Sequence, residues 1–170
     1  MNQDVLVSIA EVSVVLAGFS GISVVLSRRQ IDQWSYTEAA RMTCMIESSL
    51  MAAFFAILPV AIVNFGANDA VTWSSSSAVF AVITLYHMIH NLRRMRRAYS
   101  LDPEDRLPIS ARGVMAFISV VIVIILTLNA FGVIFQYSAG PYYAGLLFHL
   151  AFAGLLFMRS LTAIRDVAKG

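Results

Sequence analysis

The sequence is short of charge and of cysteine, and each shortage excludes a class of protein. Charged residues make up 13% of the 170 residues and the formal net charge is +2, which excludes a disordered chain and a strongly basic nucleic-acid-binding protein. The single cysteine, Cys44, excludes a secreted fold held together by disulfides. In contrast, 59% of the residues are apolar and the mean hydropathy is +0.76, which is too apolar for one water-soluble core. We therefore expect an integral membrane protein.

Five apolar runs are each long enough to cross a bilayer as a helix. A spanning helix needs about 20 mostly apolar residues, because a rise of about 1.5 Å per residue must cover about 30 Å of hydrocarbon. The predicted spans are residues 5–26, 42–65, 71–92, 114–135 and 142–163. They leave two longer polar loops, 27–41 and 93–113, and no separate soluble domain. The first turns of the loop 93–113 are expected to continue the third helix. The predicted fold class is all-α: a polytopic integral membrane protein whose residues 1–170 form one five-helix transmembrane bundle.

The orientation is predicted from the 12 Lys and Arg residues, which all fall in the loop 27–41, in the loop 93–113 or in residues 159–169 at the carboxyl-terminal end. Loops rich in these residues tend to remain cytoplasmic. Five spans with the N-terminus outside and the C-terminus cytoplasmic place every basic residue inside, whereas four or six spans do not. The first run is not preceded by Lys or Arg, which favours a retained span over a cleaved signal peptide. We expect the inner membrane of a bacterium.

Two carboxylates, Glu11 and Glu47, fall inside predicted spans, where an ionisable side chain costs about 2.5 to 3.5 kcal/mol on insertion scales. Counted from the span ends, Glu11 lies about 9 Å from the outer surface, at a depth similar to that of Asn129 and His149. These three side chains can therefore meet. Glu47 and His87 each lie about 7 Å from the inner surface and form a second depth-matched pair.

Helical phase predicts which faces these residues occupy. Glu11 shares a face with Gly18, and Gly21 flanks it; small residues allow transmembrane helices to approach closely. One face of the third span is polar apart from Phe80, and we interpret it as a wet wall: Ser77, Thr84, His87, Asn91 and Arg94. Simpler interpretations are that Glu11 is only a hydrogen bond between helices, that Glu47 reaches interfacial water or Arg41, and that the glycines only pack.

The sequence offers no motif for catalysis or for a cofactor. It has no P-loop, no dinucleotide-binding glycine pattern, no zinc-protease motif and no nucleophile elbow. His87 and His149 are predicted at different depths, which argues against a haem held by both, and His87 with His90 is an incomplete metal site unless Glu47 joins them. We expect no catalytic residue, no metal and no cofactor.

A basic run after the third span attracts anionic lipid headgroups by about 1 kcal/mol per charge, although we interpret it first as a topology determinant. Its members are Arg93, Arg94, Arg96 and Arg97.

One chain of this size encloses little interior, so a conduction path is better formed between copies around a symmetry axis. We favour a homo-oligomeric cation channel with a ring of Glu11 near the outer mouth, close approach at Gly18 and Gly21, and an inner vestibule along the third span. One alternative is a membrane-embedded scaffold or accessory subunit bound to another membrane protein, in which Glu11, Asn129 and His149 only link helices. The other is a proton-coupled small-solute carrier with Glu11 and His149 as its relay. The expected partners are the lipid bilayer and further copies of the chain, and no nucleic acid.

Overall fold

The computed structural model describes residues 3–26, 34–103 and 109–167. Over these residues the chain forms five helices and no strand: α1 (Gln3–Leu26), α2 (Tyr36–Asn64), α3 (Asp69–Leu101), α4 (Ile109–Ala130) and α5 (Ala139–Val167). Three segments are long and apolar enough to cross a membrane, namely Tyr36–Asn64, Arg112–Ala130 and Ala139–Ser160. The all-α prediction is confirmed for the described residues, and so is the presence of helices able to span a membrane.

The helix bounds differ from the predicted spans in ways that local polar contacts explain. The hydroxyl of Ser35 accepts from the amide of Glu38 at 3.1 Å, and the Glu38 carboxylate accepts from the Ser35 amide at 3.0 Å. This capping box starts α2 at Tyr36, inside the predicted loop 27–41. Asn68 caps α3 by accepting from the amide of Val71 at 2.9 Å. A count of apolar residues does not detect a helix end that is polar.

Two further bounds differ from the predicted spans. The first turns of the loop 93–113 are helical, as predicted, because α3 continues to Leu101, but α4 begins at Ile109, inside the same loop. In the other direction, α4 ends at Ala130 rather than near residue 135, and a turn with Gly132 at a φ of 65° follows it. Several predicted inner cations lie outside the described residues: Arg28, Arg29, Arg106 and Lys169.

Helix α2 is central to the bundle, since it packs against α1, α3 and α5, and α4 packs against α3 and α5. The short α2–α3 turn and the α4–α5 connection, residues 131–138, lie at one end, which we call the hairpin end. The opposite end carries Arg93, Arg96, Arg97 and Arg112, and we call it the arginine end.

Between these ends, three buried rings close the centre of the bundle, and we call them the aromatic plug: Phe55, Phe80 and Tyr142. The Phe55 and Phe80 rings stack with centroids 4.2 Å apart, and Phe80 meets Tyr142 edge-on at 5.3 Å. Gly145 makes room for this packing, because a Cβ atom there would lie 2.8 Å from Cε1 of Phe80. The plug thus depends on a residue without a side chain on α5.

Candidate functional site

Four polar residues of α2 and α3 form a connected group that we call the charge cluster: Glu47, His87, Asn91 and Arg94. Glu47 accepts two hydrogen bonds from Arg94, each 2.8 Å long, which is the bidentate geometry that suits a guanidinium and a carboxylate. Oε2 of Glu47 also lies 3.3 Å from Nε2 of His87. The hydrogen bonds that Arg94 donates to Glu47 raise the pKa of Arg94, which lies beyond the predicted third span, so this cation stays charged.

Asn91 connects the members of the charge cluster. Its Oδ1 accepts from Nη1 of Arg94 and from the Cys44 thiol, each at 3.2 Å. Its amide nitrogen lies 2.8 Å from Nε2 of His87, the same nitrogen that faces Glu47. Without a proton, Nε2 accepts from Asn91, whereas with a proton it donates to Glu47. The proton on Nε2 therefore decides which of these two side chains this atom bonds.

His149 of α5 lies next to the charge cluster, with its ring centroid 5.7 Å from that of His87. Its Nε2 is 3.2 Å from the Thr84 hydroxyl, its side chain is 1% exposed, and its Nδ1 has no hydrogen-bond partner among the described residues. The prediction that His87 and His149 lie at different depths is therefore wrong. A count of helical rise fixes a residue's height only relative to the end of its own helix, and the helix ends are not level.

Asn129 acts as a clamp at the hairpin end. Its side chain accepts from the amide of Ser138 and donates to the carbonyl of the same residue, both at 3.0 Å, and it donates to the Ser77 hydroxyl at 2.9 Å. These bonds tie the end of α4 to the start of α5 and to α3. The meeting of Asn129 with Glu11 and His149 is not found, because Glu11 is exposed on α1 and His149 bonds to Thr84.

One face of α1 has no partner within the described chain. Leu6, Ala10 and Ser13 are buried against the bundle, and a heptad-spaced stripe on the opposite side is exposed. We call it the α1 stripe: Asp4, Ser8, Glu11, Val15, Gly18 and Ile22. A Cβ atom added at Gly18 or Gly21 would meet no atom within 4 Å. The predicted contact surface of Glu11, Gly18 and Gly21 thus faces away from the chain's own helices.

A cavity of about 740 Å³ lies between α3, α4 and α5, on the arginine side of the aromatic plug. Its deep end is polar, with Thr84, His87 and His149. Its walls are apolar and rich in methionine and phenylalanine: Met88, Met95, Met115, Phe148 and Phe152. Arg41, Arg96 and Arg112 line it as well. The cavity was not predicted from the sequence, although the stripe on α3 continues past the predicted span, through Met95 to Tyr99.

The four arginines of the basic run, which was predicted to contact anionic lipid, lie in three different surroundings. Arg94 is held by Glu47, and Arg96 lines the cavity. Arg93 and Arg97 line a shallow groove on the other side of α3, with Tyr36 and His90. Of this run, only Arg96 therefore lines the cavity, and it is exposed there.

Within the described residues, no group of three or more His, Cys, Asp and Glu side chains is arranged to hold a metal ion. No protein-family model matches the chain, and no curated protein and no solved structure is similar to it. The function must therefore be inferred from the arrangement of the residues themselves.

Proposed function

We propose that the chain crosses a bacterial inner membrane five times, with its N-terminus outside, and assembles into a homo-oligomer that conducts cations along an axis lined by α1. The proposal combines the placement of the basic residues in the sequence with three features of the bundle. These are the apolar outer surface, the closed centre of a single chain and the α1 stripe.

The side chains of α3 support a membrane position for this helix, although it is the least apolar of the five. Its polar residues Ser76, Ser77 and Thr84 are buried inside the bundle. Between residues 71 and 92 its exposed side chains are mostly large and apolar, and include Val79, Val82, Ile83 and Ile89. A helix that is polar inside and apolar outside matches a lipid environment and does not match water. We therefore count residues 71–92 of α3 among the spans.

The aromatic plug argues against a path through one chain. Phe55, Phe80 and Tyr142 are almost fully buried and in mutual contact, so the cavity on the arginine side does not continue through the bundle. A conduction path then has to run between copies of the chain, which a closed symmetric ring provides.

The exposure of Glu11 is the observation that carries the proposal. It lies eight residues after the start of α1 at Gln3, or about 12 Å along the helix axis. Left in lipid, a carboxylate at this position costs about 2.5 to 3.5 kcal/mol. If α1 lies against α1 of other copies, the cost is avoided, Gly18 permits close approach, and the Glu11 carboxylates form a ring that favours cations.

The test is cation flux into liposomes that contain the purified full-length chain. Wild type should conduct, and Glu11→Gln should lower the cation-to-anion selectivity at least about tenfold, because the ring loses its charge. Asp69→Asn is the matched control, since it removes another exposed carboxylate from the hairpin end without touching α1. It should leave the flux unchanged.

Disulfide cross-linking reports the assembly independently of flux. A cysteine at position 18 should cross-link copies in the membrane, whereas one at position 54, where exposed Phe54 lies on α2, should not. Cross-linked but non-conducting protein would favour the scaffold alternative. Protein that is monomeric by both measurements would refute the proposal.

A further inference from the structure

We propose that the cavity is a binding site for an anionic phospholipid of the surrounding membrane, with its phosphate at Arg96 and Arg112 and an acyl chain along the methionine and phenylalanine wall. This site is separate from the α1 stripe, and the proposal does not require that the chain conducts ions.

The charge of the cavity selects an anion. Arg41, Arg96 and Arg112 come from α2, α3 and α4 and converge on one space, and the described residues that line it include no Asp or Glu. The Arg112 guanidinium lies 5.4 Å above the centre of the Tyr99 ring. The ring packs against the flat face of the guanidinium and leaves the N–H edge of the guanidinium for a ligand. Guanidinium groups bind phosphate by paired hydrogen bonds.

The shape of the cavity selects an elongated ligand with an apolar part. Its lining residues on α3 run from Thr84 to Ser100, about 24 Å at the rise of a helix. The volume of about 740 Å³ lies within the range of about 300 to 1,000 Å³ found for small-molecule sites. A free phosphate would leave the apolar length empty. Flexible methionines on two walls suit an acyl chain, which has no fixed shape.

The cavity lies at a level of the membrane where anionic lipids are present. Under the proposed topology the arginine end lies at the inner leaflet, where anionic lipids are abundant, and basic pockets between helices on that side bind their headgroups. The charge, the length and the level in the membrane thus agree on one class of ligand.

The experiment is native mass spectrometry of the full chain after exchange into detergent with phosphatidylglycerol or phosphatidylcholine. Wild type should retain phosphatidylglycerol and release phosphatidylcholine. The double variant R96Q/R112Q should bind phosphatidylglycerol about thirtyfold more weakly, since two surface cations contribute about one and a half factors of ten. R93Q/R97Q removes the same charge from the groove on the other side of α3 and should retain the lipid.

A second pair of variants tests the apolar part. Ala116→Phe places a ring in the cavity and should reduce retention of phosphatidylglycerol as strongly as the arginine pair does. Val120→Phe, one turn further along α4 at an exposed position, is its control.

Equal retention of both lipids by wild type, or equal loss in R96Q/R112Q and R93Q/R97Q, would overturn the proposal. Displacement of the lipid by equimolar glycerol phosphate would also overturn the proposal, because the site would then recognise the headgroup alone and not the acyl chain.

Discussion

The hydroxyl of Tyr142 donates a 2.6 Å hydrogen bond to the backbone carbonyl of Phe55, four residues before Pro59. Proline has no N–H, so this carbonyl lacks the donor that an uninterrupted helix would supply. In a bilayer no water replaces that donor, and an unpaired carbonyl costs several kcal/mol. Tyr142 of α5 therefore repairs the break in α2, and the same side chain completes the aromatic plug.

Tyr142→Phe should destabilise the protein by about 1 to 3 kcal/mol, because the Phe55 carbonyl is left buried and unpaired. Thermal unfolding in detergent measures the loss. The matched background is Pro59→Ala, which restores an amide donor at the break. In that background the cost of Tyr142→Phe should fall by about half or more; an undiminished cost would mean that the ring, not the hydroxyl, is what matters.

Gly145→Ala should also destabilise the plug by about 1 to 3 kcal/mol, since the new methyl would lie 2.8 Å from the Phe80 ring and 3.4 Å from Leu126. Gly154 lies further along α5 and has nothing within 4 Å of an added methyl, so Gly154→Ala should be neutral or slightly stabilising. Melting temperatures of the two variants, measured side by side, decide the prediction. Equal shifts would contradict the tight packing at Gly145.

Glu47→Gln should cost about 1 to 3 kcal/mol. The side chains of Glu47 and Arg94 are 33% and 24% exposed, so the pair lies between an exposed ion pair and a buried one. In an Arg94→Gln background the same change should cost clearly less, and a double-mutant cycle by thermal unfolding gives the difference. Arg93→Gln on the exposed side of α3 should stay within about 0.5 kcal/mol. Additive losses would show that the two residues act separately.

Asn129→Ala should open the connection between α4 and α5, because the hydrogen bonds to Ser77 and Ser138 are lost together. We expect faster amide hydrogen exchange over residues 131–138 and a loss of about 2 kcal/mol. Ser77→Ala removes only one of these bonds and should affect α3 without exposing the connection. Unchanged exchange in Asn129→Ala would show that the turn is held by its own backbone.

The sequence was sufficient to predict the helical class and the polar face of α3, because composition and a 3.6-residue period do not depend on which helices are neighbours. Ser77, Thr84 and Asn91 are buried, as the interior of a polar face requires. The early start of α2 was not predicted, because a helix begins before its apolar segment when a cap stabilises its polar end.

The grouping of polar residues was harder to predict. Depth was a poor guide: it joined Glu11 to His149, which lie apart, and separated His149 from His87, which lie in contact. Which helices are adjacent, and how their ends are offset, is decided by side-chain packing such as that of Phe80 against Gly145. Only the α3 wall of the cavity is visible in the sequence, as the stripe from Thr84 to Tyr99, because the space itself depends on how the helices pack.

Cys44 has a practical consequence. Its thiol is 1% exposed and bonded to Asn91 at the contact of α2 with α3, beside the Glu47 to Arg94 pair. Because the thiol is buried and also borders the cavity, a thiol reagent reaches it when a local opening exposes it, and the rate of modification measures that opening equilibrium. Cys44 therefore reports local opening of the bundle, and mass spectrometry can follow its modification without the addition of a label site.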